Sequence, residues 1–233
     1  QAGSVSNKKA AHGVINMGEI QVLTREQQII LSEVGRNQFF NKFYFTGGTA
    51  LSAFYLQHRY SEDLDFFSEE KFDVQKVENI IDELKEKYKF EYTSEFVEIV
   101  QIFMIKFAKE PPLKVDFATY PYRKIEEKKI VNGVRIDSLI DIAVNKLHTV
   151  NQRTTVKDFV DLYFLLQKFS FWDLKQGIQI KFRQKLDPFI YASDFLKVEE
   201  FDTLPRMIKP ITIDELKVFY RDEAKKLGRQ SVE

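Results

Sequence analysis

Asp63 and Asp65 stand one residue apart in the segment 43–67, FYFTGGTALSAFYLQHRYSEDLDFF. On a strand, residues two apart share a face, so the two carboxylates project together while Leu64 and Phe66 face the other way. Side by side they repel unless a cation sits between them, and Mg2+, a hard ion that takes oxygen ligands, suits that role. Gly47-Gly48 lies upstream, between an aromatic, strand-like run and a segment of helical period. Such a pair lets the backbone turn tightly and approach a ligand, and the helix N-terminus beyond it presents free N–H groups suited to phosphate. Each signal alone is common, since Gly-Gly is more often a simple turn. Phosphate donors and paired metal ligands in one short segment belong together.

Further along, charge appears where the pattern is apolar. Asp116 is a single acid in the strand-like run 113–118, LKVDFA. On its own it reads as an edge-exposed aspartate; beside the Asp63/Asp65 pair it becomes a candidate third carboxylate for the same cation. Lys146 sits among the apolar residues of a helix, either snorkelling to the surface or aimed at a triphosphate. Asp158 and Asp161 are three apart and share a helix face, opposite a packed stripe of Phe159, Leu162, Leu165 and Leu166. Capping and the helix dipole would be reason enough for acids there.

The elements that must position these residues follow from pattern and punctuation. Thr24 and Gln27 form a capping box for a helix that buries Ile29, Ile30, Leu31 and Val34 and stops at Gly35. A strand at 43–46 leads through the glycine turn into a helix with Leu51, Phe54, Tyr55 and His58 at helical spacing, then to a strand at 63–67. Val77, Ile80, Ile81 and Leu84 mark a surface helix over 74–88. Segments 90–96 and 98–108 read as a strand pair, the second central because it is rich in β-branched residues. After Pro111-Pro112 come the strand 113–118 and a hairpin over 130–136 around Asn132-Gly133. Asp137 or Ser138 caps a helix that runs to Val150 and buries Leu139, Ile142, Ala143, Leu147 and Val150. Helices over 171–182, 188–196 and 214–227 complete the chain, with Pro205 and Pro210 marking a loop. Arg206, Lys209, Lys217, Arg221, Lys225, Lys226 and Arg229 make this tail basic, diluted by Asp214, Glu215, Asp222 and Glu223. That mixture suits a solvated helix face or a contact surface for RNA phosphate.

Composition narrows the field. The chain has 233 residues, 44% hydrophobic and 30% charged, as in a globular protein with an ample core. A formal net charge of zero supplies no global field toward nucleic acid or membrane. The absence of cysteine excludes disulfides and thiolate metal sites and fits a cytoplasmic protein, and three histidines argue against zinc. No apolar run reaches the roughly 20 residues of a membrane span, and no signal peptide is visible. Residues 1–16 are small, polar and without period; they read as an extension ahead of a patterned chain that starts at Met17.

Gly47-Gly48-Thr49-Ala50-Leu51, followed by His58-Arg59-Tyr60-Ser61-Glu62-Asp63-Leu64-Asp65-Phe66-Phe67, resembles the first motif of the AbiEii/AbiGii toxin family of nucleotidyltransferases, which includes the MenT toxins. The stretch 141–146, an acid a turn ahead of Lys146, resembles the next motif. The run from Arg153 through Lys157, Asp158 and Asp161 into a leucine-rich segment resembles the last. The resemblance covers 17–169 with the motifs in order.

It implies an α/β (α+β) fold: a nucleotidyltransferase core with a mixed sheet flanked by helices over 17–136, then a helical C-terminal region over 137–233 that completes the site. It implies that Gly47, Gly48 and Thr49 or Ser61 hold the nucleotide phosphates and that Asp63 and Asp65 ligate Mg2+, with Asp116 as a less secure third ligand. Lys146 and Asp161 complete the catalytic set, and Arg153, Lys157 and Asp158 face the substrate. Asp161 would orient Lys146 or act as a base. The expected activity is transfer of NMP from an NTP to an acceptor, the 3′ end of tRNA or another RNA, by a toxin neutralised by a separate antitoxin. A protein or small-molecule acceptor, or a non-catalytic nucleotide-binding module, are the alternatives.

Overall fold

The computed structural model describes residues 22–230, so the expected extension 1–16 and the start at Met17 lie outside the described residues. A seven-stranded mixed sheet is flanked by helices, and a helical region follows it. Helix α1 (Arg25–Arg36) begins with the anticipated capping box: the Gln27 amide N–H donates to Thr24 Oγ1, and Gln27 Oε1 accepts from the Thr24 N–H. Gly35 does not end this helix. A side chain there would lie 2.3 Å from the Asn132 carbonyl oxygen, so glycine lets α1 pack against the hairpin of β6 (Lys129–Val131) and β7 (Val134–Ile136). Asn132 and Gly133 turn that hairpin with φ of 49° and 83°, the left-handed pair such a two-residue turn requires.

Strand β1 (Phe43–Thr46) leads into α2 (Gly47–Leu51), which widens into a π-type turn over Ser52–Leu56 and closes at Gln57 with φ of 48°. His58 therefore lies beyond the helix rather than on its face. Strand β2 (Leu64–Ser68) starts one residue later than the pattern suggests, leaving Asp63 at its entrance. Helix α3 (Val74–Tyr88), β3 (Glu91–Val97), β4 (Val100–Lys106) and β5 (Leu113–Thr119) follow. The strand order is β3-β4-β5-β2-β1-β7-β6. The central strand is thus β2, and β4, expected there, lies second from the edge. One face of β4 is buried, with Phe103 and Ile105 in the core, while Val100, Ile102 and the 38% exposed Met104 lie on the other.

Register separates the two faces. Leu64, Phe66, Val115, Phe117 and Phe103 point to the side covered by α3, where Tyr92 and Ser94 donate to Asp82 and Glu78. Phe117 anchors this core, with ring centroids of Phe66, Phe43 and Phe40 at 5.1–5.3 Å. Asp65, its β5 neighbour Asp116 and its β1 neighbour Thr46 share the opposite face. There lie α4 (Leu139–Gln152), capped by Ser138, and α5 (Val156–Leu166). Helices α6 (Phe171–Phe182), α7 (Pro188–Leu196) and α8 (Ile213–Gln230) pack behind them, the first two with the bounds the sequence predicts. No helix among the described residues is long and apolar enough to cross a membrane.

Candidate active site

Three carboxylates meet where β2 begins. Parallel pairing sets Asp65 directly beside Asp116, with Asp63 at the strand entrance. Burial, then the Asp116 and Asp63 charges, push the Asp65 carboxyl up to about 6. Burial also raises Asp116, with Lys114 opposing: Lys114 Nζ binds Asp116 Oδ2, while Oδ1 is buried without a hydrogen-bond partner. Asp116 is therefore no solvated edge residue.

Beside them is a cluster of mixed sign. Lys146 Nζ lies 2.8 Å from Asp158 Oδ1 and 2.6 Å from Asp161 Oδ2. Burial alone would lower this ammonium, but Asp161 and Asp158 reverse the effect and hold it above its ordinary value. Asp158 accepts a hydrogen bond from it and Asp161 lies in ion-pair contact, so these two partners do not use all three of its N–H donors, and its charge reaches Asp65. Asp158 also accepts from Arg153 Nε at 2.8 Å and Thr155 Oγ1 at 2.6 Å. Burial opposes its charge, yet Lys146 and these hydrogen bonds bring it down to about 2.

Asp161 is fully enclosed. It accepts from His58 Nε2 at 2.7 Å, from Arg59 Nε and Nη2 at 2.6 and 2.8 Å, and contacts Lys146. These partners hold its carboxyl far below the usual range despite burial. A carboxylate so saturated orients its neighbours and is a poor base.

The glycine pair is explained first by this chain's own side chains. Gly47 has φ of 75°, and a Cβ there would fall 2.1 Å from Asp65 Oδ2; one on Gly48 would fall 2.5 Å from Arg59 Nη2 and 3.1 Å from Ser61 Oγ. Thr49 donates to the Asp63 carbonyl at 2.5 Å, and Gln27 Nε2 donates to the Ser61 and Glu62 carbonyls, both at 2.9 Å. These bonds fix the path of the chain into β2. Lys157 pairs with Glu62 at 3.2 Å, both exposed. Asp141, the acid of the second motif, lies apart, bound to Lys181, Ser138 and the N–H groups of Ile125 and Glu126.

His58 and Arg59 are the residues that spacing did not single out. Both are buried, and both bind Asp161 across about a hundred residues of chain, a partnership local pattern does not encode. The available signal was an arginine inside an aromatic, apolar motif, which burial would oblige to find a carboxylate. Residues 206–209 cover this segment: Tyr60 N–H donates to the Arg206 carbonyl at 2.9 Å, Ile208 N–H to that of His58 at 2.8 Å, and the Arg206 guanidinium lies 4.0 Å from the Tyr60 ring centroid. Elsewhere the basic tail is locally paired, Arg221 with Glu199 and Lys226 with Glu223.

Among the described residues, no three His, Cys, Asp or Glu side chains are gathered so as to hold a metal ion by themselves. The oxygen-only donor set, the crowded Asp65 and the unpartnered Asp116 Oδ1 fit a hard cation that shares its coordination with a ligand, as Mg2+ does with phosphates.

The sequence model of the nucleotidyl transferase AbiEii toxin, type IV TA system, matches residues 29–230. An uncharacterized protein of Aquifex aeolicus is 37% identical over 158 residues, covering 66% of this chain and 71% of its own. JHP933 from Helicobacter pylori has a similar structure, with a TM-score of 0.54 and 23% identity over 87% of this chain and 88% of its own. MenT4, a nucleotidyltransferase toxin from Mycobacterium tuberculosis, reaches a TM-score of 0.57 at 16% identity, over 81% of this chain and 76% of its own. These two structures share the fold.

Proposed function

The chain belongs to the AbiEii family of nucleotidyltransferase toxins, and from that premise we propose that it transfers NMP from an NTP to the 3′ end of an RNA, with tRNA the expected acceptor. In this reading it is Mg2+-dependent and is held in check by a separate antitoxin. The observation that carries the reading is the juxtaposition of the Asp63/Asp65/Asp116 carboxylates with Lys146, whose ammonium keeps a free donor.

Asp63 and Asp65, with Asp116 beside them, would hold the metal. Bound there, Mg2+ would offset charge on the triphosphate oxygens and favour attack at the α-phosphorus. Lys146 meets the β- and γ-phosphates and stabilises the negative charge of the departing pyrophosphate. Asp158 and Asp161 fix the lysine, and Arg153 and Lys157 line the approach. As the acceptor hydroxyl oxygen bonds to the α-phosphorus, the bond to the β-phosphate bridging oxygen breaks. Pyrophosphate leaves with that electron pair, and the hydroxyl proton passes to water.

The test is incubation of the pure protein with Mg2+, total RNA and each labelled NTP in turn, beside Asp63→Asn. Label in a tRNA-sized band that disappears in the variant is the expected result. Label in protein alone would move the acceptor to a protein hydroxyl. Label that survives in Asp63→Asn would overturn the site.

A further inference from the structure

We infer that Arg59, through Asp161, gives the Lys146 cluster its net positive charge and thereby its preference for a triphosphate over a monophosphate. The inference rests on the reading that Lys146 faces the β- and γ-phosphates.

Lys146 is wedged between two carboxylates, Asp158 and Asp161, at 2.8 and 2.6 Å. Left with them alone, it would be more than neutralised and would offer nothing to a polyanion. Arg153 compensates Asp158, through Nε at 2.8 Å. Arg59 compensates Asp161 with both prongs of its guanidinium, Nε at 2.6 Å and Nη2 at 2.8 Å, a bidentate arrangement that lysine cannot reproduce.

His58 adds a hydrogen bond to Asp161 but no charge, because burial pushes its imidazole below its ordinary pKa. Within this ion-paired cluster three cations thus face two anions, and one positive charge remains on the side toward Asp65. Its natural outlet is the part of the Lys146 ammonium that Asp158 and Asp161 leave free.

Arg59 is built in at some cost. It is 2% exposed, its Nη1 donates to the Tyr60 carbonyl at 3.0 Å, and the lack of a side chain on Gly48 makes room for its Nη2. Two sequence motifs, the glycine turn and the last aspartate, therefore meet one guanidinium that contacts no expected substrate atom, and the lysine joins them through Asp161. That is the part of a positioning residue.

The experiment is nucleotide binding by calorimetry in Mg2+ buffer at fixed ionic strength, comparing NTP with NMP and confirming by thermal melting that each variant is folded. Wild type prefers the triphosphate. Arg59→Gln removes one charge from a low-dielectric site and lowers the NTP-over-NMP preference by about tenfold or more. Arg59→Lys keeps the charge and retains most of the preference. The paired change Arg59→Gln with Asp161→Asn removes one charge of each sign and restores it.

A merely structural arginine predicts a different pattern, in which every variant loses affinity for NTP and NMP alike. That pattern overturns the inference, as does an unchanged preference in folded Arg59→Gln or a wild type without one. Should Arg59→Gln fail to fold, Arg59→Lys and the paired variant decide, and loss of preference in either overturns it. A wild type that prefers NTP but labels no acceptor would sink the transfer reading and leave this one standing.

Discussion

Helix α4 contributes to two buried lysine–aspartate pairings, one near its N-terminus and one at mid-helix, and the two differ in what they leave undone. Near its N-terminus Asp141 takes hydrogen bonds from Ser138, Ile125, Glu126 and Lys181, and is held below its ordinary pKa. All of it faces protein, with Asp141 0% and Lys181 5% exposed. At mid-helix, Lys146 is as tightly paired yet keeps a donor, and beside it stand Asp65, its carboxyl pushed up to about 6, and a buried oxygen of Asp116 without a partner. Burial and pairing alone do not mark a functional site. What sets the Lys146 cluster apart is charge that the protein has gathered and left unsatisfied, which is where the proposed ligand would act.

Substitutions in the two pairs should fail in different ways. Lys146→Met is expected to lower the rate of nucleotidyl transfer about a thousandfold, roughly 4 kcal/mol of transition-state stabilisation, read in single-turnover kinetics. Lys181→Met should instead cost about 3 kcal/mol of stability in urea unfolding, by stranding Asp141, while the folded fraction keeps its transfer rate. Comparable losses of activity in the two variants would erase the distinction.

The carboxylates respond to pH with opposite signs. Asp65 has its pKa raised from 3.8 to about 6, so the folded state holds this proton more tightly and wild type loses stability as pH rises through that window. Asp65→Asn should therefore stabilise the metal-free protein at pH 7 by on the order of 2 kcal/mol, with the gain vanishing below about pH 4. Asp158, lowered from 3.8 to about 2, contributes stability that is present above its ordinary pKa and lost as pH falls toward 2. Thermal melts across pH check both signs. Lys157→Ala, at the exposed pair with Glu62, should change stability by less than about 0.5 kcal/mol. A larger effect would place Lys157 in the closed part of the network.

Much of this was legible in sequence because it is local. Period and capping gave α3, α6 and α7 their bounds, and the Asn132-Gly133 pair gave the hairpin. The positions of Asp63, Asp65, Lys146, Asp158 and Asp161 followed from spacing and family resemblance. What escaped was decided by partners far along the chain. Gly35 reads as a helix stop until the hairpin carbonyl of Asn132 is seen against it. The β-branched run of β4 reads as central until its partners, β3 and β5, place it near the edge. Asp161 reads equally as an orienting group or a base until its three donors from His58 and Arg59 and its Lys146 contact, which leave its oxygens little room for a further proton, are in view.

The central claim is that the unsatisfied end of this molecule moves a nucleotidyl group. The most direct measurement offers the protein Mg2+, RNA and an NTP labelled either at the α- or at the γ-phosphate. The account predicts that α-label becomes covalently attached to RNA while γ-label leaves as pyrophosphate, one released for each nucleotide added. Attachment of γ-label to the acceptor, or release of inorganic phosphate in place of pyrophosphate, would contradict it.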